Sequence, residues 1–209
     1  MMRVKLDDAL LLQVEKPAKY TGNEWNMVRK NLEDVEVRFA FAFPDDYEIG
    51  MSHLGMKILY HILNKRKDTY CERVFAPWVD MERLMRERGI PLYTLETYTP
   101  LSEFDILGFT LQYEMSYTNI LNMLDLGGIP ILAEDRDESH PFVCAGGPCA
   151  VNPEPLADFI DFFVIGEGEE VIHEIVDTYK VWKDSGQDRK AFLELVAGIE
   201  GVYVPSLYQ

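Results

Sequence analysis

Cysteine is scarce in this chain: Cys71, Cys144 and Cys149 are the only three in 209 residues. An odd, sparse count gives no disulfide framework and fits a reducing compartment, so the expected location is the cytoplasm. Long apolar runs are also missing. None approaches the length of a membrane span, and residues 1–30 lack the features of a signal peptide, so no membrane partner is expected. Bases are outnumbered, with 20 Lys and Arg against 36 Asp and Glu and a formal net charge of -16. Nucleic acid and anionic membrane require clustered Lys and Arg, so this chain is expected to bind neither. Internal repeats and low-complexity segments are absent.

What remains is a globular chain, 47% hydrophobic and long enough for one α/β domain with a real core. Phe142 to Ala145 and Phe162 to Ile165 are short, apolar on both faces and stopped by glycine, as in strands of a helix-covered parallel sheet. Val37 to Phe43 alternates Phe39, Phe41 and Phe43 with Arg38, Ala40 and Ala42, which suits a central strand with unequal faces. Cys71 to Ala76 and Asp105 to Leu111 complete five strands. Leu92 to Glu96 reads as a short extra strand, and Ile129 to Leu132 as a short apolar segment.

Helical spacing predicts helices at about 51–65, with Leu54, Ile58, Leu59 and Ile62 facing inward, then at 80–88 (stopped by Gly89), 115–126 and 189–197, and one carrying Val171, Ile172, Ile175, Val176 and Tyr179 on one face and running to about 182. A short helix is expected within 6–14. The fold class is therefore α/β, doubly wound, with a mainly parallel five-stranded Rossmann-like sheet in the flavodoxin-like order 2-1-3-4-5. Residues 1–35 form an N-terminal extension whose loop 20–26 carries two aromatic anchors, Tyr20 and Trp25, for packing on the domain or on something outside this chain, and 36–182 form the α/β domain. Residues 183–209 form a helix and an extended linker. The chain then stops after the apolar stretch 202–208, which has no obvious partner strand, and so reads as a piece of a longer protein.

In such sheets ligands bind outside the carboxyl ends of the strands. The turns there supply the candidate site: Asp45, Asp46, Tyr47, Gly50 and His53 after the first strand, and Thr110, Gln112 and Tyr113 after the third. Gly146, Gly147, Pro148 and Cys149 follow the fourth strand, and Gly166, Glu167, Gly168 and Glu169 the fifth. Gly166 and Gly168 lie in a strand-to-helix turn, and free N–H groups at the start of the helix that follows suit an anion or polar ligand group. The dinucleotide fingerprint lacks its third glycine, since Val171 stands there, and no phosphate-binding G-x-x-x-x-G-K-[ST] occurs. Residues 133–170 carry ten acids and one base, Arg136. A polyphosphate would find little countercharge, whereas a ligand with one phosphodiester is easier to accept. The C-x4-C of Cys144 and Cys149 has no second pair and is no zinc or cluster signature. No metal ligand set and no catalytic centre is read in the chain.

Several stretches carry a resemblance: Glu15-Lys-Pro-Ala-Lys-Tyr-Thr-Gly, Phe43-Pro-Asp-Asp-Tyr-Glu-Ile-Gly-Met-Ser-His-Leu-Gly-Met, Val74-Phe-Ala-Pro-Trp, Asp105-Ile-Leu-Gly-Phe-Thr-Leu-Gln-Tyr-Glu, Asn119-Ile-Leu-Asn-Met-Leu-Asp-Leu, Ala145-Gly-Gly-Pro-Cys and Ile165-Gly-Glu-Gly-Glu. With them the chain resembles the N-terminal part of a family of large B12-binding-domain radical SAM proteins. The resemblance implies a cobalamin-binding module at the carboxyl edge. It also implies a partner in the protein's own C-terminal radical SAM domain, where the [4Fe–4S] cluster and S-adenosylmethionine would lie. This chain has no C-x3-C-x2-C for that cluster. The cobalamin motif D-x-H-x-x-G is broken around His53, with Met51 and Met56 in place of Asp and Gly, so the cobalt is expected to lack a histidine ligand. The alternative is a degenerate module without cofactor that packs on a partner domain. A crevice filled by Tyr47, Tyr113 or the N-terminal extension would favour that alternative.

Overall fold

The computed structural model describes residues 3–208. Its strands are β1 (Val37–Phe43), β2 (Thr69–Phe75), β3 (Ile106–Thr110), β4 (Phe142–Gly146), β5 (Phe162–Val164) and β6 (Val202–Tyr203). They form one sheet in the order β2-β1-β3-β4-β5-β6. The first five are parallel, in the expected flavodoxin-like order, and β6 joins antiparallel to β5. The helices are α1 (Asp8–Leu11), α2 (Tyr47–Gly50), α3 (Leu54–Lys65), α4 (Val79–Arg88), α5 (Tyr117–Leu126), α6 (Gly168–Ser185) and α7 (Arg189–Val196). None is long and apolar enough to cross a membrane.

β1 is hydrogen-bonded on both sides and all seven of its residues are buried. By the pleat, Phe39 and Phe41 share one face, toward α3 and α6, and Ala40 and Ala42 take the other. On that other side α4 and α5 are tied by Arg86, which donates to Asp125 Oδ2 at 2.7 Å and Asn122 Oδ1 at 2.6 Å. Gly89, at φ 63, ends α4 in the left-handed conformation that glycine adopts without strain.

The structure departs from the sequence reading in several places. In α3 the buried residues are Met56, Tyr60 and Leu63, whereas Leu54 is 69% exposed and Ile58 36%. The helical period is right and its phase is not, because the inward face uses Met and Tyr as well as Leu. Leu92 to Glu96 is no strand of the sheet. It covers the outer edge of β2, where the Leu95 N–H donates to the Arg73 carbonyl and Arg73 N–H donates to the Glu96 carboxylate in place of a strand carbonyl. Unpaired edges invite foreign strands, and this cover removes the invitation. Val202–Tyr203 does find a partner, β5, against the expectation that it had none. No helix links β4 to β5; Pro148, Pro153 and Pro155 remove backbone donors there, and short 3-10 turns result.

The terminal segments share the core. Leu10, Val14 and Tyr20 of the extension are buried, whereas Trp25 is fully exposed and does not pack on the domain. Phe192 and Val196 of α7 are fully buried, and Phe192 stacks on Phe142 with centroids 4.1 Å apart, so the packing does not break at 182.

Asp161 closes the amino end of the sheet. Its Oδ2 accepts from Arg136 Nη1 at 3.1 Å, from Arg189 Nη2 at 2.7 Å and from the Val143 N–H at 2.6 Å. Removing one partner of a buried ionic group leaves uncompensated charge, so Asp161→Ala is expected to cost about 3–5 kcal/mol of unfolding free energy. Urea denaturation of the variant checks this, and a loss under about 1 kcal/mol, the scale of exposed ion pairs, would contradict it.

Candidate functional site

Along β3 and β4 the face toward α3 and α6 steps from large to small side chains. Ile106 lies beside Phe142, Gly108 beside Cys144, and Thr110 beside Gly146. The space left at the carboxyl end is a crevice of about 400 Å3 between the sheet and those two helices. Phe39 and Phe41 of β1, Leu59 of α3 and Ile172 and Ile175 of α6 wall it, and no Lys or Arg lines it. A larger hollow of about 710 Å3 lies at the amino end, but its buried cations, Arg136 and Arg189, are committed to Asp161.

The polar groups of the crevice gather at its mouth. α6 starts there, and its N-cap residue Glu167 makes no side-chain cap. First-turn N–H groups without a cap are available to a ligand. Gly147, at φ 112, sits in a conformation that L side chains rarely adopt, and an added Cβ would lie 2.9 Å from the Leu111 carbonyl oxygen. That close approach ties the β4 turn to the β3 turn, as does the Cys149 N–H donating to the same carbonyl at 3.1 Å. Cys144 is buried, and burial pushes its thiol well above the usual range, so it offers no thiolate.

His53 is the N-cap of α3. Its Nδ1 accepts the Met56 N–H at 3.2 Å, and its Nε2 lies 3.0 Å from Gln112 Oε1. Gln112 Nε2 in turn donates to Thr110 Oγ1 at 2.5 Å. Both ring nitrogens are thereby engaged. Among the described residues no group of three or more His, Cys, Asp or Glu side chains could hold a metal ion.

Ten of the sequence-predicted residues line the crevice: His53, Thr110, Gln112, Gly146, Gly147, Pro148, Gly166, Glu167, Gly168 and Glu169. Six others do not. Asp46 caps α2 and pairs with Lys19 at 2.6 Å, and Tyr47 donates to Glu24 at 2.9 Å. Burial, helped by Glu24, pushes the Tyr47 hydroxyl up to about 12. Gly50 packs under Phe75, and Tyr113 turns outward to donate to Asp45 at 2.9 Å. Cys149 sits in the 3-10 turn Pro148–Val151. Sequence reasoning missed the apolar walls, because Phe39, Phe41, Ile172 and Ile175 look like any core residue. Gly108, a glycine inside a strand, was the available signal.

Residues 55–205 match the family described as radical SAM proteins, N-terminal. An uncharacterised protein of Methanocaldococcus jannaschii is 27% identical over 143 residues, which cover 66% of this chain and 26% of that protein. The chain thus spans about a quarter of that relative's length. No solved structure matches the chain.

The glycines of the mouth should differ in their tolerance. Gly147→Ala is expected to cost about 2 kcal/mol from backbone strain. Gly146 and Gly168 have ordinary backbone angles, and an added Cβ would meet only van der Waals contacts at 3.5 Å. Their alanine variants should stay within about 0.5 kcal/mol of the parent. Denaturation midpoints of the three variants decide, and equal effects at all three positions would refute the assignment.

Proposed function

The chain belongs to the family of radical SAM N-terminal domains, and on that premise we propose that it is the cobalamin-holding module of a radical SAM protein. The observation that carries the reading is the crevice itself: deep, apolar, free of cations and open at the carboxyl edge. Cobalamin's nucleotide tail has matching chemistry, a flat apolar base on a ribose with a single phosphodiester. The base would lie against Phe39, Phe41 and Ile175. The phosphodiester would take N–H groups from the uncapped start of α6, beside Gly166 and Gly168. Gly146 and Gly147 would let the backbone approach the ligand closely. Bound cobalamin would supply a cobalt centre at the mouth.

The packing-only alternative needs a filled crevice. Tyr47 and Tyr113 are held away from it by Glu24 and Asp45, and no described residue of the N-terminal extension lines it. The radical SAM domain, with its [4Fe–4S] cluster and S-adenosylmethionine, is the proposed partner over the same edge. Exposed apolar side chains in the segments after the strands support that placement: Leu54 at 69%, Met115 at 84% and Val151 at 74%.

In this reading the cobalt takes no ligand from His53, since one ring nitrogen caps α3 and the other faces Gln112. Hydroxocobalamin titrated into the 209-residue chain and followed by visible absorbance should bind with one-to-one stoichiometry. The bound spectrum should be the same for wild type and His53→Ala. Failure to bind refutes the cobalamin reading. An imidazole-ligated spectrum that vanishes in the variant refutes the ligation.

A further inference from the structure

We propose that His53 is a positioning residue that sets the hydrogen-bond polarity of the crevice: through Gln112 it holds the Thr110 hydroxyl as a donor, so the site selects a ligand that buries a hydrogen-bond acceptor. The inference rests on the crevice being a ligand site, as the proposed function also requires, but not on the ligand being cobalamin.

The argument follows the protons. The Met56 N–H points at His53 Nδ1, 3.2 Å away. A nitrogen that accepts a backbone proton carries none of its own, so the proton of the neutral ring lies on Nε2. Nε2 therefore donates, and Gln112 must present its carbonyl oxygen, 3.0 Å away. That fixes the amide's orientation, with its NH2 toward Thr110 Oγ1 at 2.5 Å. Thr110 receives this bond, and among the described residues its own hydroxyl proton has no acceptor.

The reverse direction fails at its first link. Were Gln112 flipped, its NH2 would need an unprotonated Nε2, and the ring proton would move to Nδ1. There it would face the Met56 N–H, donor against donor. The helix cap thus determines the direction of the whole chain.

Thr110 is only 6% exposed and ends β3 on the crevice face. Around it the walls are apolar and no cation lines the crevice. A buried hydroxyl left without an acceptor is costly, so the ligand atom that meets it should be an unprotonated ring nitrogen or a carbonyl oxygen. An isostere with C–H at that atom leaves the donor unpaired and is discriminated against.

Two measurements on the 209-residue chain test this. Long-range nitrogen–proton NMR should show His53 with Nδ1 bare and Nε2 protonated; the opposite tautomer overturns the inference. The second compares two probes of one shape, 1-methylbenzimidazole, whose ring nitrogen accepts, and 1-methylindole, which has C–H there. Wild type should prefer the first by about tenfold, the scale of one net hydrogen bond. Thr110→Ser should keep the preference and Thr110→Val should abolish it. Gln112→Glu should abolish it too, since a carboxylate accepts from both sides and turns the Thr110 proton away from the crevice. His53→Asn retains a capping side chain that is too short to reach Gln112. It should lose most of the preference while the thermal midpoint stays near wild type. Equal binding of the probes, binding of neither, or a preference that survives Thr110→Val overturns the inference. Hydroxocobalamin run in parallel separates the two readings. Its binding without a probe preference sinks only the inference; a probe preference without its binding sinks only the cobalamin reading.

Discussion

A parallel sheet buried on both faces has little freedom in where it leaves space. Backbone pairing fixes the strands about 4.8 Å apart, so the only variable is side-chain volume. Here that volume falls along the strands toward their carboxyl ends on one face. Ile106 gives way to Gly108 and Thr110, and Phe142 to Cys144 and Gly146. At the amino end the same face is filled by Phe142, Tyr179, Trp182 and Phe192, whose rings pack at 4.1 to 6.1 Å between centroids. Helix α6 cannot follow the step down, since Tyr179 and Trp182 keep it packed on the aromatic half. The crevice is thus a consequence of core packing, and it needs no moving part.

Charge is divided in the same way. Asp161 draws Arg136 and Arg189 into buried pairs at the amino end of β4 and β5, and these cations are unavailable to any ligand. At the other end the α6 turn brings Glu167, Glu169 and the helix start together without a countercharge. Backbone N–H groups are then the main attraction for an anion, and they can offset one negative charge far better than three. This is the physical basis for setting aside nucleotide polyphosphates in favour of a single phosphodiester.

Much of the fold was legible in the sequence, for local reasons. Apolar runs ended by glycine marked β4 and β5, and large–small alternation marked β1 as central. The chain order of strands and helices then gave the sheet order. What was not legible depends on distant partners. Leu54 and Ile58 were assigned to the inner face of α3, but Tyr60 takes it, with Arg73 of β2 over its ring at 4.3 Å and the Val28 N–H on its hydroxyl. The segment at 202–203 acquires a partner only once β5 is placed at the sheet edge. The turns that line the crevice could be named because they follow strands; its apolar walls could not, because a lining Phe and a core Phe have the same local pattern.

His53 shows the limit most clearly. Judged by its sequence neighbours alone, it lacks an orienting group, since Met51 offers no carboxylate to an imidazole. Its orienting groups are instead a backbone N–H one turn ahead and Gln112, 59 residues away in sequence. These two bonds use both ring nitrogens, and a metal would have to break one of them. Losing the first would leave a donor at the start of α3 uncapped, while losing the second would release the Gln112 amide and with it the Thr110 hydroxyl. An imidazole held in this way is better suited to directing a proton than to lending a lone pair. Although Met51 offers no carboxylate, His53 is still oriented from both sides, by the Met56 N–H and by Gln112, and these contacts make its Nε2 the donor.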